Sequence, residues 1–238
     1  MHEAADRRSR RLHAARHRLN TRFTARINVR AVNRFSLVFV CSGNRFRSPL
    51  AEAFVHRLTV GLPVDVQSFG TLPLGSVPAL PEAVELAFWC GIDLGPHRAR
   101  LVGQVPLAGA DAVLGFEQQH VRRAVVDAGA PRERSFTFRE LVLLLDDVEE
   151  LDAETPVDRA RQLVERASER RERPVGLVPR EEIPDPFGRS WRVYRETAEE
   201  TRSLSLRLVE RLFGARDTRT LPPFPPNVPR RRFRLLRR

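Results

Sequence analysis

Cys41 and Arg47 are the residues from which chemistry can be argued first. Between this thiol and the guanidinium six positions on lie Ser42, Gly43, Asn44, Arg45 and Phe46, and Ser48-Pro49 follow. The apolar residues 37–40 just before Cys41 read as a short buried strand, and Ser-Pro reads as a helix opening. A loop between a strand end and a helix N-terminus collects unpaired N–H groups and the positive end of the helix dipole, so it suits an anion. The same field stabilises a thiolate. Arg47 can return to the mouth of the loop and grip two phosphate oxygens with its planar fork. Ser48 is placed to donate a hydrogen bond to the sulfur, to cap the helix, or both. Gly43 and Asn44 suit a loop that needs positive φ and a self-bonding polar side chain. Thiolate, N–H cradle and arginine together describe a cysteine phosphatase.

These residues need a sheet and helices to hold them. Strands are expected from Phe35 to the loop and over 64–68, 112–115 and 135–138. Helices are expected over 48–58, 81–90, 117–128, 156–171 and 190–213. Ala51, Phe54, Val55 and Leu58 stripe one face of the first helix; Leu204, Leu208 and Leu212 mark the inner side of the last. Strands alternating with helices imply a parallel sheet with right-handed crossovers. In such sheets the site lies outside the carboxyl ends of the strands, where the loop after strand one falls. Residues 72–81 form a Pro/Gly-rich loop near its mouth. Cys90, in Ala87-Phe88-Trp89-Cys90, reads as a buried core residue.

The loop and several later stretches resemble the low-molecular-weight protein-tyrosine-phosphatase family, a fold shared with thioredoxin-coupled arsenate reductases. Cys41 to Pro49 resembles its Cys-x5-Arg-Ser-Pro loop, and Ser68-Phe69-Gly70-Thr71 its Ser-Ala-Gly-Thr strand end. Gly91-Ile92-Asp93 with His97-Arg98-Ala99-Arg100, then Ala110-Asp111-Ala112-Val113-Leu114, resemble two further segments. Asp185-Pro186-Phe187-Gly188 resembles the general-acid loop. The resemblance spans about residues 35–214. It implies an α/β fold of three layers, α/β/α, around a four-stranded parallel sheet of order 2-1-3-4. It implies Cys41 as nucleophile, Arg47 as oxyanion ligand and Asp185 as general acid. Ser42, Gly43, Asn44, Arg45, Phe46 and Ser48 would bind phosphate, Phe187 would line the mouth, and Asn44 would brace the loop with His97. No cofactor and no metal are implied.

Three positions depart from the pattern. Phe46 stands where the family commonly has a second loop Cys, which removes an intraloop disulfide and leaves Cys41 less protected from oxidation. Arg45 stands where tyrosine phosphatases carry an apolar residue and arginine phosphatases a small Thr. Gly188 stands where many tyrosine-specific members have another aromatic, and Asp-Pro-Phe-Gly is closer to the arginine-phosphatase branch. The resemblance thus implies a phosphorylated protein as substrate, phosphotyrosine favoured and phosphoarginine the alternative. Arsenate reduction would need a cysteine relay with only Cys90 to supply it. A non-catalytic phosphate binder and a nucleic-acid binder are the remaining readings.

The net charge of +11 over 238 residues is unevenly spread. Residues 1–34 carry ten Arg against Glu3 and Asp6, a balance of +8. Residues 215–238 carry eight Arg against Asp217, or +7, which leaves −4 for 35–214. Both ends are expected to be disordered, the second being Pro/Arg-rich, and nucleic acid could be met only through them. Residues 156–171 read as an inserted surface helix within one domain, 35–214. Two cysteines make no disulfide framework or metal-ligand set. No apolar run approaches the roughly 20 residues of a membrane span. A nucleophilic thiol wants a reducing compartment, so a cytoplasmic location is expected.

Overall fold

A computed structural model describes residues 34–149, 151–172, 182–214 and 221–225. The expectations for residues 1–33 and 226–238 lie outside the described residues. The strands are β1 (Phe35–Cys41), β2 (Val64–Gly70), β3 (Ala112–Gly115) and β4 (Ser135–Thr137). They form one parallel sheet of order β2-β1-β3-β4, the expected topology. Helices α1 (Arg47–Leu58), α2 (Pro81–Trp89), α3 (Gln118–Ala128), α4 (Phe138–Asp146), α5 (Pro156–Glu172) and α6 (Trp191–Phe213) surround it.

Period-two alternation along β1 builds the layers. Phe35, Leu37, Phe39 and Cys41 join one large core with residues of α1, α2, α4, α5 and α6. Val38 and Val40 face the other way into a smaller cluster with Phe69, Val113, Ala124 and Ala128, the last two on α3. The strand therefore delivers Cys41 on the α1 side, directly before the helix that starts at Arg47.

Helix α4 is absent from the sequence expectations. Thr137 ends β4 and caps the helix: Glu140 N donates to its Oγ1 at 3.2 Å, and Thr137 N donates to Glu140 Oε2 at 2.9 Å. This reciprocal box, ahead of the buried Phe138, Leu141, Val142 and Leu145, is a readable helix start. Helix α5 has the expected range but is more than a surface insertion, because Val157, Ala160, Leu163, Val164 and Ala167 lie in the main core. Arg161 Nε donates to Asp111 Oδ1 at 2.8 Å, and Asp111 Oδ2 accepts Ser36 N at 2.8 Å, tying α5 to the sheet. Leu221 is also buried in the core, so residues 221–225 lie against the domain instead of trailing from it. Among the described residues no helix is long and apolar enough to cross a membrane.

Candidate active site

The segment between β1 and α1 is wrapped from behind by the turn after β2. Thr71 N donates to the carbonyls of Cys41 and Ser42 at 3.0 and 2.9 Å, and Leu72 N donates to Ser42 O at 2.9 Å. Gly70 permits this approach: a Cβ there would sit 2.9 Å from Ser42 O and 3.0 Å from Asn44 N. None of the backbone N–H groups of residues 43–47 finds an acceptor among the described residues. Donors of that kind at a helix start form an oxyanion cradle.

Asn44 holds the loop in shape. Its φ of 51° is left-handed, so the positive φ expected near Gly43 falls on the asparagine. Its buried Nδ2 donates to Ser48 Oγ at 3.0 Å and Ser68 Oγ at 2.7 Å, while Oδ1 accepts Arg100 N at 2.9 Å. His97 is the expected partner, but through the main chain: its Nε2 donates to Asn44 O at 2.7 Å. Burial pushes the His97 imidazole below its ordinary range. Ser48 Oγ lies 3.0 Å from Cys41 Sγ and 3.3 Å from Phe69 O. Its oxygen already accepts from Asn44, so its single proton can turn to the sulfur when a thiolate is present.

Arg47 is the junction of the site and is 1% exposed. One terminal nitrogen, Nη1, donates to Glu117 and, at 2.9 Å, to Ile183 O. The other, Nη2, donates to Ser42 Oγ at 3.1 Å and Asp185 Oδ2 at 2.6 Å. The guanidinium thus joins the loop, the start of α3 and the 183–188 segment. Asp185 Oδ1 accepts Phe187 N at 3.1 Å, a local turn that orients the carboxyl. Phe187 itself is 66% exposed, and Leu72 and Leu74 on the loop after β2 are exposed as well.

Two neighbours of Arg47 escaped the sequence reading. Burial alone would push the Glu117 carboxyl up, but hydrogen bonds from Arg47 and Gln119 outweigh it and hold it below the ordinary carboxylate range. His120 lies within hydrogen-bond distance of Ser42 Oγ through Nε2, at 3.0 Å. Burial, helped by the Arg47 charge, pushes its imidazole down to about 4 despite Glu117 and Asp185 nearby. The signal for both was local: Glu117-Gln118-Gln119-His120 begins one residue beyond the end of β3, where sites in such sheets gather.

The departing residues also find places. Phe46, expected among the phosphate-binding residues, has its side chain buried against Tyr194, ring centroids 4.9 Å apart and edge-to-face. Tyr194 Oη accepts Gly188 N at 3.2 Å, and Gly188 has φ 75°, which disfavours the aromatic common there. Phe46 therefore couples the loop to the Asp185 segment through packing. Arg45 Nε donates to Pro78 O at 2.9 Å, which tethers the guanidinium to the loop over 72–81. Cys90 is buried as expected, its Sγ 3.7 Å from Pro222 O, and burial pushes its thiol up to about 11. A thiol kept protonated makes a poor relay partner.

A family model described as low molecular weight phosphotyrosine protein phosphatase matches residues 36–177, more than half of the chain. The chain belongs to that family. The matched stretch ends before Asp185, so the carboxyl's place beside Arg47 rests on the geometry above. A protein-arginine-phosphatase of Bacillus subtilis is 28% identical over 178 residues, 74% of this chain and 95% of that protein. The crystal structure of a low molecular weight protein tyrosine phosphatase from T. tengcongensis matches with a TM-score of 0.53 and 28% identity, over 74% of this chain and 98% of that one. A structure of the arginine phosphatase YwlE with a phosphorylated active-site serine matches with a TM-score of 0.53 and 26% identity, over 75% and 95%. Relatives of this low-molecular-weight phosphatase thus include both tyrosine and arginine phosphatases.

Proposed function

We propose that the chain hydrolyses phosphomonoesters on protein through a phosphocysteine intermediate, with phosphotyrosine the favoured substrate. Cys41 Sγ attacks phosphorus, forming the S–P bond as the ester P–O bond breaks. The N–H groups of 43–47 and Arg47 hold the phosphoryl oxygens as charge spreads over them. Asp185 gives its proton to the leaving oxygen, then takes one from the water that breaks the S–P bond and frees inorganic phosphate. Ser48 holds the sulfur as it becomes a leaving group. The charges this sequence needs come from the protein itself, so the proposed reaction uses no metal.

One observation carries the reading: a single nitrogen of Arg47 touches both Ser42 of the anion loop and Asp185. Nucleophile loop and candidate acid are then assembled on one cation. The YwlE structure, whose active-site serine is phosphorylated, supports a covalent phosphoenzyme in a relative. The exposed apolar side chains of Leu72, Leu74 and Phe187 favour a flat aryl group over a charged guanidinium. Phosphoarginine remains the second reading, favoured by the Bacillus subtilis relative and by Asp185-Pro186-Phe187-Gly188.

The test is hydrolysis of p-nitrophenyl phosphate in a chelator, then of phosphotyrosine and phosphoarginine peptides. Cys41→Ser should abolish turnover, and an active Cys41→Ser protein would defeat the proposal. Arg45→Thr and Arg45→Ile, assayed on both peptides, test whether the tethered guanidinium sets the choice. A preference for phosphoarginine in the unmodified protein would replace the favoured substrate by the second.

A further inference from the structure

The pairing of Ser42 with His120 has a direction that the hydrogen bonds fix. Glu117 N donates to His120 Nδ1 at 3.0 Å. A backbone N–H can only donate, so Nδ1 is an acceptor and the neutral ring carries its proton on Nε2. Nε2 must therefore be the donor in its 3.0 Å contact with Ser42 Oγ. Arg47 Nη2, 3.1 Å from the same oxygen, is also a donor by nature. Both neighbours give protons to Ser42 Oγ and neither can take one. Ser42 Oγ has no other partner among the described residues. Its own O–H is left to donate to an acceptor that neither neighbour supplies, and a phosphoryl oxygen bound in the loop is one.

The arrangement resembles a serine nucleophile with a histidine base, but the tautomer is the wrong one. A base would need a free lone pair on Nε2, and the α3 backbone has claimed Nδ1 instead. The pair therefore does not make Ser42 a nucleophile. It makes it a donor.

Resting on the phosphatase reading above, the geometry points to Ser42 as a further catalytic residue whose O–H donates to a phosphoryl oxygen, with His120 the positioning residue that keeps it turned that way. The site gains one donor beyond the N–H cradle and Arg47, at the first position of the loop beside the sulfur. As negative charge gathers on the phosphoryl oxygens, that hydrogen bond strengthens. The capping position of His120 in the first turn of α3 makes its ring orientation a property of the helix start. The imidazole stays neutral down to about pH 4, so above that pH Nδ1 keeps accepting from Glu117 N and the ring keeps its orientation.

A double-mutant cycle on the full chain tests this. Ser42→Ala should lower kcat/KM on p-nitrophenyl phosphate about tenfold, the worth of one hydrogen bond to a charged group. It should weaken inhibition by vanadate, a phosphate mimic that gathers the same charge, by a similar factor. His120→Ala should reproduce most of that loss alone and add nothing once Ser42 is Ala. His120→Asn, whose amide can accept from Glu117 N and donate to Ser42, should restore part of it. Thermal melts keep the assays at a temperature where every variant is folded. Losses that multiply, or a Ser42→Ala enzyme with unchanged kcat/KM and vanadate inhibition, would overturn the assignment. Loss of the phosphatase reading would show separately, as turnover that survives Cys41→Ser.

Discussion

Arg47 is a buried cation, and the partners of its two terminal nitrogens say what each neighbour does. Nη1 is anchored by Glu117 and the Ile183 carbonyl, which fixes the plane of the fork. Nη2 faces Ser42 and Asp185, the side on which a phosphoryl group has to be met. Removing the candidate acid, Asp185→Ala, should lower the rate on a phenyl phosphate of poor leaving ability by roughly 10²–10⁴-fold. The loss should be far smaller on p-nitrophenyl phosphate, and equal losses on both substrates would contradict the role. Asn44→Ala deletes three side-chain hydrogen bonds and leaves Ala at positive φ, which should cost about 2–4 kcal/mol in urea unfolding. His120 supplies a pH test with a definite sign. Its folded value of about 4 lies below the ordinary 6.5, so between these the unfolded chain binds more protons. Stability should therefore fall as pH drops from about 6.5 through about 4, by at most about 1.4 kcal/mol per unit. The His120→Asn protein should show a shallower fall in urea midpoints over that window, and an unchanged slope would count against a buried neutral imidazole.

At the scale of elements, the site depends on contacts that bind segments distant in sequence. Phe46 packs on Tyr194, and Tyr194 holds Gly188, so the loop and the Asp185 segment share a support. Tyr194→Phe keeps the ring contact and removes the anchor for Gly188 N. It should reduce turnover of poor leaving groups, a part of the roughly 10²–10⁴-fold that the acid supplies, and leave p-nitrophenyl phosphate nearly unchanged. Much of this was legible in the sequence, because the loop and β1 are punctuated by Gly, Pro and apolar runs. Helix α4 was not, since its nine residues follow β4 without a break and its apolar run suits either state. The deciding mark was the Thr137–Glu140 capping box. Glu117 and His120 were passed over because each is a common surface residue, and only the fold turns them toward Arg47. The burial of α5 was hidden by its many charges, which occupy the opposite face.

For the molecule as a whole, the boundary of the folded unit lies further along the chain than composition suggests. Leu221 fills the core, Arg202 donates to its carbonyl at 2.8 Å, and Pro222 covers Cys90. Ending the chain at residue 214 should therefore lower stability by about 1.5–3 kcal/mol, the burial of one leucine, and open Cys90 to thiol reagents. Melting curves and thiol labelling would report both, and no change in either would count against a core that includes Leu221. Arg-rich composition at the ends says little about the catalytic unit, whose own charge is −4 between residues 35 and 214 by the count of Arg against Asp and Glu. The central claim is that the phosphoryl group passes through Cys41. Mass spectrometry of rapidly quenched enzyme, taken during turnover of an aryl phosphate, tests it most directly. The account predicts a transient adduct of one phosphoryl group on the peptide containing Cys41, absent from Cys41→Ser. Steady turnover with no such adduct, or an adduct on any other residue, would contradict it.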